Sequence, residues 1–502
     1  MEEDLAKLEV LERSFVNFVY PFRFESEEYP QIIKHFQDSW EPRELRGISD
    51  YLLSPVANYL GIKHTHTHLD NRTAIFFEPT CELKKELNLD EEEVWAIKVK
   101  GKVIQFQFDS RTKTGRNGLN VPAVELALFK IGVGFLILRT HCHSNRLDEW
   151  MDFIYHFRFI GRKKIQCCCQ KSNKPQHLKS IIKEKLLSIP DKLNWCKEIF
   201  IYNKMLAYFS IFSQGGDSEV QAKVIYRLNK FFHSGQDIYP HPSELEVGQE
   251  KYNILPYIEN HYWLFSLEGG GFYGWNPPDT DWAKNNLVDH LKKQYFLIFI
   301  LALHQRFALI HLSEQVAENW RMSGQQKDVE NNIQVFQKIR DQMLLFTARG
   351  YFLQVMQQDN QHRCYCKWRD IFQLDALYTE VNGEVQEMHE YCLMQRDRQL
   401  QDTVYYMSAG LGSGAIVAST AGILFHSGGQ SGFIGAVSLS AFVALITGYS
   451  VKTIRETKVL PALKQALIES KLSQDYYGCD MSGAVWRNSN NDSSYFTSSG
   501  KQ

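Results

Sequence analysis

The groups in this chain best suited to grip a phosphate are basic side chains in two clusters. One is the turn Arg111-Thr112-Lys113-Thr114-Gly115-Arg116-Asn117-Gly118; the other is Arg158 and Arg162 with Lys163 and Lys164 behind them. Backbone amides of a Gly-containing turn and Arg forks both suit an anion with several oxygens. A solvated hairpin tip explains the same composition. His64, His66 and His68 alternate in His-Thr-His-Thr-His, and His141 and His143 repeat the spacing around Cys142. On a strand such residues share one face, which makes them candidate zinc or copper ligands. No fourth ligand accompanies them, and polar strand ends account for them equally. Cys167, Cys168 and Cys169 are adjacent, while Cys364 and Cys366 lack the two-residue spacer of a zinc knuckle. Gly269-Gly270-Gly271 is followed by no Gly-Lys-Ser/Thr, so it is not a Walker loop and reads as a flexible turn. No nucleophile, base and orienting acid stand at a recognised spacing; the chain is read as not an enzyme, with no certain cofactor.

The elements that must position these groups follow from periodicity. Residues 1 to about 60 read as helix and loop, with Phe15, Phe18, Tyr20, Phe22 and Phe24 marking a possible early strand. β-Branched and aromatic runs then predict strands at Thr73 to Glu78, Val94 to Phe108 with a hairpin turn at Gly101-Lys102, Val124 to Arg139, and Met151 to Phe159. Residues 165 to 176 read as a polar loop, 177 to 190 as helix-like, and Gly248 to Thr280 as loop-rich. Three long helices follow: Asp281 to Trp320, Asp328 to about Gln358, and Cys366 to Tyr406. The apolar core of the first, Tyr295 to Leu303, is too short to span a membrane, so it is expected to be buried. The last carries an apolar stripe of Leu374, Leu377, Val381, Val385, Met388 and Cys392 in steps of three or four, which predicts lengthwise packing on another helix. Its acidic residues Asp375, Glu380, Glu384, Glu387 and Glu390 read either as stacked rings in an oligomer or as a solvated face.

From Thr403 to Val451 there is no Asp, Glu, Lys or Arg. Two apolar segments, Met407 to Phe425 and Phe433 to Val451, flank the turn from His426 to Gly432. Each is roughly 19 residues and roughly 28 Å as helix, enough to cross a bilayer core of about 30 Å. Arg396 and Arg398 precede the pair, Lys452, Arg455 and Lys458 follow it, and the turn has no cation, so both termini are expected on the cytoplasmic side of the inner or plasma membrane. The first segment is rich in small residues that allow close helix approach. Ser408, Gly412, Ala415, Ser419, Gly422 and His426 are the candidate pore-lining positions, a path that would require several copies around an axis. A buried soluble hairpin is the alternative reading.

The remainder is water-soluble in composition. Of 502 residues 23% are charged, and 56 Lys and Arg against 58 Asp and Glu leave a net charge of −2, which gives no global attraction to nucleic acid. The scattered cysteines are unlike a disulfide framework and fit a reducing compartment. The acidic start Met1-Glu2-Glu3-Asp4 does not resemble a secretory signal. Lys458 to Leu472 is expected to form an amphipathic helix, and Ser482 to Gln502 a disordered tail.

The order of these parts, an α/β domain, long helices, a stalk running into a first span, a short outer turn and a second span, resembles the CorA superfamily of two-span metal-ion transporters over roughly residues 280 to 455. The resemblance implies a homopentamer whose first spans line a pore. The Gly-Met-Asn signature that selects magnesium in those transporters is replaced by Phe425-His426-Ser427-Gly428-Gly429. In size and in lacking the signature the chain is similar to the divergent CorA-like membrane effectors of type III CRISPR systems, which implies gating by a nucleotide messenger. The expected fold class is therefore an α+β cytoplasmic domain, β-rich and antiparallel at its N-terminal part, then long helices, a stalk helix and a two-helix transmembrane hairpin. The expected domains are 1–280, 281–402, 403–452 and 453–502. The alternatives are a divalent-cation (Mg2+) transporter of the ordinary CorA type and a membrane-anchored binding or signalling protein.

Overall fold

The computed structural model describes residues 5, 7–45, 48–62, 69–89, 93–99, 102–109, 121–161, 166–169, 176–187, 204–236, 238, 240–244, 251–322, 329–424, 441–443, 445, 446 and 449. The chain divides into two compact units, Met1–Cys392 and Leu393–Gln502, so the long helices up to Cys392 share a unit with the sheet.

The described strands are β1 (Glu9–Val10), β2 (Phe15–Arg23), β3 (Trp40–Arg43), β4 (Ala74–Pro79), β5 (Val94–Val99), β6 (Lys102–Phe108), β7 (Val124–Phe129), β8 (Val133–Cys142), β9 (Gln166–Cys169), β10 (Gln176–His177), β11 (Leu206–Gln214), β12 (Ile254–Ile258), β13 (His261–Ser266) and β14 (Gly269–Trp275). They form one sheet in the order β10-β9-β5-β6-β8-β2-β11-β14-β13-β12, with β3, β4 and β7 branching from β8 and β1 pairing with β11. Every pairing is antiparallel except β11 with β14. The possible early strand is β2, and it lies near the middle, between β8 and β11. Its sequence explains the placement: Val16, Phe18, Tyr20 and Phe22 join the apolar layer on one face, Phe15 and Val19 the layer on the other. The β5–β6 hairpin forms as its sequence predicts.

Helices Tyr29–Gln37, Leu147–Phe157 and Ser218–Asn229 cover the first face. The second is covered by a helical run from Trp282 to Met322, by Val329–Arg349, and by the stalk Leu374–Leu424 up to Cys392. The most apolar window of the 282–319 segment is 83% buried in the body, as expected for a core helix.

Several expectations are corrected. Met151 to Phe159 is not a strand but the greater part of helix Leu147–Phe157; Leu147, Trp150, Ile154 and Phe157 recur at helical spacing towards the sheet, with Asp148 and Glu149 in the first turn. Residues 165 to 176 are not simply a polar loop, because Cys167, Cys168 and Cys169 are buried in β9, acting as small apolar side chains. The loop-rich stretch contains β12, β13 and β14. Its glycine triplet is no flexible turn but the start of β14: a Cβ at Gly269, Gly270 or Gly271 would overlap the carbonyl oxygens of Ala207, Leu264 and Phe209 respectively. Replacing Gly271 by alanine is accordingly expected to cost about 2–3 kcal/mol, measurable as a lower midpoint in thermal melting; an unchanged midpoint would refute the close approach. The third long helix is two, Asp359–Ile371 and Leu374–Leu424, broken at Phe372-Gln373, where Gln373 has a φ of 52°.

The predicted stripe is real. Leu374, Val381, Val385, Met388 and Cys392 are buried in the same cluster as Leu312, Val316, Phe336, Ile339 and Met343, while Leu377 is partly covered. The helix continues without interruption to Leu424. The turn from His426 to Gly432, most of the second apolar segment, and the expected helix at Lys458 to Leu472 with its tail lie outside the described residues.

Candidate functional site

The stalk begins in a network of polar groups on an apolar floor. Arg369, near the end of helix Asp359–Ile371, forms an ion pair with Asp375 in the first turn of the stalk, and its guanidinium donates to the Phe352 carbonyl and, at 3.1 Å, to the Tyr351 hydroxyl. Tyr351 itself donates to Asp375 and stacks on Tyr378 of the stalk at 4.4 Å between ring centroids. Below them the Tyr365 hydroxyl, with one proton to give, lies 2.6 Å from the Phe352 carbonyl and 2.8 Å from Gln305 Oε1, and Gln305 Nε2 donates to the Gly350 carbonyl at 3.0 Å, which ties the same loop to the core helix. Burial by itself would raise the Asp375 carboxyl, but the Tyr351 hydroxyl and the Arg369 guanidinium outweigh it and hold the group below the usual carboxylate range. No local pattern of residues points to this latch. Its members come from a loop, from the core helix and from the two helices across the Phe372-Gln373 break, and the sequence marks only Asp375 among them, as a ring candidate.

Further along, the stalk has two engaged faces and one open. Ser313 of the core helix donates to Glu384 at 3.0 Å, so Asp375 and Glu384 are both occupied within the chain, while Glu380, Glu387 and Glu390 are exposed. Beyond Cys392 the large apolar side chains turn outward: Leu400, Val404, Tyr405, Met407, Leu411 and Ile416 are between 54% and 71% exposed. Ser408, Gly412, Ala415, Ser419 and Gly422 all fall on this one helix and, by their steps of four and three, on one side of it. Ser408, Gly412, Ala415 and Ser419 are exposed. The Ser408 hydroxyl donates to the Tyr405 carbonyl at 2.9 Å and Ser419 to the Ala415 carbonyl, so neither leaves its proton unused. His426 lies outside the described residues.

Of the anion candidates, only Arg158 is among the described residues. Arg111, Lys113, Arg116 and Arg162 lie outside the described residues. Arg158 is corrected: it caps helix Leu147–Phe157 rather than ending a strand, its side chain is only 2% exposed, and it is paired with Glu268 at 2.8 Å beneath the Phe231 ring. Lys204 pairs with the same carboxylate. Arg158 is therefore a structural cation of the β13–β14 turn. His64, His66 and His68 also fall outside the described residues. His141 is buried with Nδ1 2.8 Å from the Ser14 carbonyl, whereas His143 is exposed. Among the described residues no three His, Cys, Asp or Glu side chains converge as a metal site.

A buried charge network was not anticipated at all. Glu125 of β7 lies between Arg43 of β3 and Arg139 of β8, 2.5 Å from each. Burial works against its charge, but the two guanidiniums prevail and keep the carboxyl below its ordinary range. Partners separated by 82 and 14 residues leave no local spacing to read.

No family model matches the chain, and no curated protein or solved structure is similar to it.

Proposed function

We propose that this chain is an oligomeric membrane channel or effector of CorA-like design, in which the body controls a two-helix transmembrane hairpin and a small nucleotide is the controlling ligand. The observation that supports it most is the change of character along one helix. Up to Cys392 the apolar residues of Leu374–Leu424 are covered by the body; beyond it they face outward over several turns. An exposed apolar surface of that length calls for lipid or further copies of the chain. Serines bonded to their own helix satisfy the demand that lipid makes on polar groups. Tyr405 and Tyr406 at the start of the first span and Tyr449 near the end of the second fit an aromatic belt on one side of a bilayer. In this reading both termini are cytoplasmic, the copies assemble as a pentamer, and the face carrying Ser408, Gly412, Ala415, Ser419 and Gly422 lines the path. The nucleotide, and the role in antiviral defence, come from the resemblance; Arg111, Lys113 and Arg116 are the residues proposed to meet its phosphates.

The decisive experiment is native mass spectrometry of the detergent-extracted protein with and without an adenylated nucleotide. A pentamer that retains the nucleotide supports the channel. A monomer removes the pore and leaves the hairpin as an anchor, and rescue of magnesium uptake in a deficient strain would favour the metal transporter instead. Membrane insertion has its own check. A lysine at Ala415 places a charge near the middle of the span, at about 2.5–3.5 kcal/mol, so Ala415→Lys together with Ile416→Asp is expected to shift the protein out of carbonate-washed membranes. Retention of that double variant would argue against insertion.

A further inference from the structure

Where the body lets go of the stalk, a different side of the helix stands open. Leu393 and Leu400 are 47% and 55% exposed, and Glu390 and Asp397 are exposed with them. Spaced three, four and three apart, the four share one side of the helix, turned about 130° from the buried stripe that ends at Cys392. Acid and leucine alternate along it. Arg396 and Arg398 point about 100° to either side of Asp397, so the face itself stays acidic. Its complement is a helix that alternates leucine with a cation at the same spacing.

We propose that the occupant is the chain's own segment 458–472, which lies outside the described residues, seated antiparallel on this face. In that segment Leu460, Lys464, Leu467 and Lys471 recur in steps of four, three and four, one side of a helix. Pro461 falls in the first turn, where its missing N–H is not needed, and Glu469 falls on another side. Run antiparallel to the stalk, Leu460 meets Leu400, Lys464 meets Asp397, Leu467 meets Leu393 and Lys471 meets Glu390, like with like and charge with countercharge. The turn from His426 to Gly432 sets the direction and nearly the register. It brings Phe425 level with Phe433 and Met407 level with Val451; carried past the membrane, the same register puts Leu460 level with Arg398, two residues or about 3 Å from Leu400. Residues 452–457 take up that difference. The pairing rests on the hairpin of the proposed function and not on its pore or its ligand. Since the face is turned only about 40° from the side carrying Ser408, Gly412 and Ala415, the seated segment would stand beside the cytoplasmic entrance of the proposed path.

The test uses the full chain in its membrane with Cys81, Cys196 and Cys479 replaced by serine, which removes the one exposed described thiol and the two thiols outside the described residues. Leu393→Cys with Leu467→Cys is expected to close a disulfide within the chain on mild oxidation, read by intact mass as the loss of both introduced thiols to alkylation. Gln395→Cys with Leu467→Cys, about 200° round the stalk from Leu393, should keep both. Asp397→Lys should lower the yield of the first pair, and Lys464→Asp in the same chain should restore it. Equal yields for the two pairs, or no disulfide in protein that resists a carbonate wash, overturns the pairing while leaving the hairpin. Protein that the wash removes takes the hairpin and the pairing down together. Leu393→Cys alone giving a disulfide-linked dimer would put a second copy on this face and overturn the proposal.

Discussion

Replacing Glu125 by alanine is expected to lower the stability of the body by about 3–5 kcal/mol, because it removes the buried carboxylate that Arg43 and Arg139 share and leaves two buried guanidiniums facing each other across its place. Domains of ordinary stability have about 5–15 kcal/mol to lose, so the variant should approach the threshold of folding. Glu125 is 3% exposed and Arg139 6%, and the Arg139 guanidinium also donates to the Pro122 carbonyl at 2.7 Å and lies 5.2 Å from the Phe296 ring. The network therefore ties β3, β7 and β8 to the core helix. Urea unfolding followed by tryptophan fluorescence measures the loss directly. A triple replacement of Glu125, Arg43 and Arg139 by apolar residues of similar volume should recover most of it, since what is costly is the broken set and not its absence. A loss below about 1 kcal/mol for Glu125→Ala would mean that water reaches the two arginines.

Acidification is expected to destabilise the body steeply below about pH 6.5, the ordinary value for histidine. His304 is fully buried, 2.6 Å from the Tyr59 hydroxyl and stacked on Phe129 at 4.0 Å, and burial pushes it down to about 3. His311 is pushed down to about 4 by burial and then by Arg23, against a smaller opposing effect of Glu27. Both folded values lie below the unfolded one, so the unfolded chain takes up more protons as the pH drops. The stability these residues supply is complete above about pH 6.5 and is lost as the pH falls towards 4 and 3. At about 1.4 kcal/mol per pH unit for each group, the two together remove about 5 kcal/mol by about pH 4.5. Denaturation midpoints measured between pH 7 and pH 4.5 test this, and His304→Phe should remove about half of the slope. A flat profile would contradict the buried, neutral state of both rings.

What could be read in the sequence was whatever repeats locally. The β5–β6 hairpin, the core helix and the stalk stripe each declare themselves within a dozen residues or so, through alternation or through steps of three and four. The helix at Leu147–Phe157 was missed because its aromatic residues have strand propensity, and propensity yielded to a helical spacing that buries Trp150, Phe153 and Phe157 on the sheet. The β14 glycines were misread because a loop and a crowded strand select the same residue, one for freedom and the other for the lack of a Cβ. The latch, the Arg43–Glu125–Arg139 network and the partner of Arg158 unite side chains distant in the chain, and nothing short of the tertiary fold brings them together. Of the candidate site residues, those on the stalk were legible as a face, since a helix preserves sequence spacing in space. Arg158 was misplaced for the opposite reason: a basic residue four positions before the run Arg162-Lys163-Lys164 reads as part of a surface cluster, and only Glu268, 110 positions away, reveals it as core.

From Leu374 to Cys392 the stalk is held by the Arg369–Asp375 ion pair, the Tyr351 hydroxyl, the stacked Tyr351 and Tyr378 rings, the Ser313–Glu384 hydrogen bond and its buried apolar stripe. The clamp therefore runs along about 28 Å of helix, about five turns, and not only at the Phe372-Gln373 break. Turning this part of the stalk thus means breaking buried packing along its whole length together with the ion pair at its base, so it is a splint that moves with the body as one piece up to Cys392.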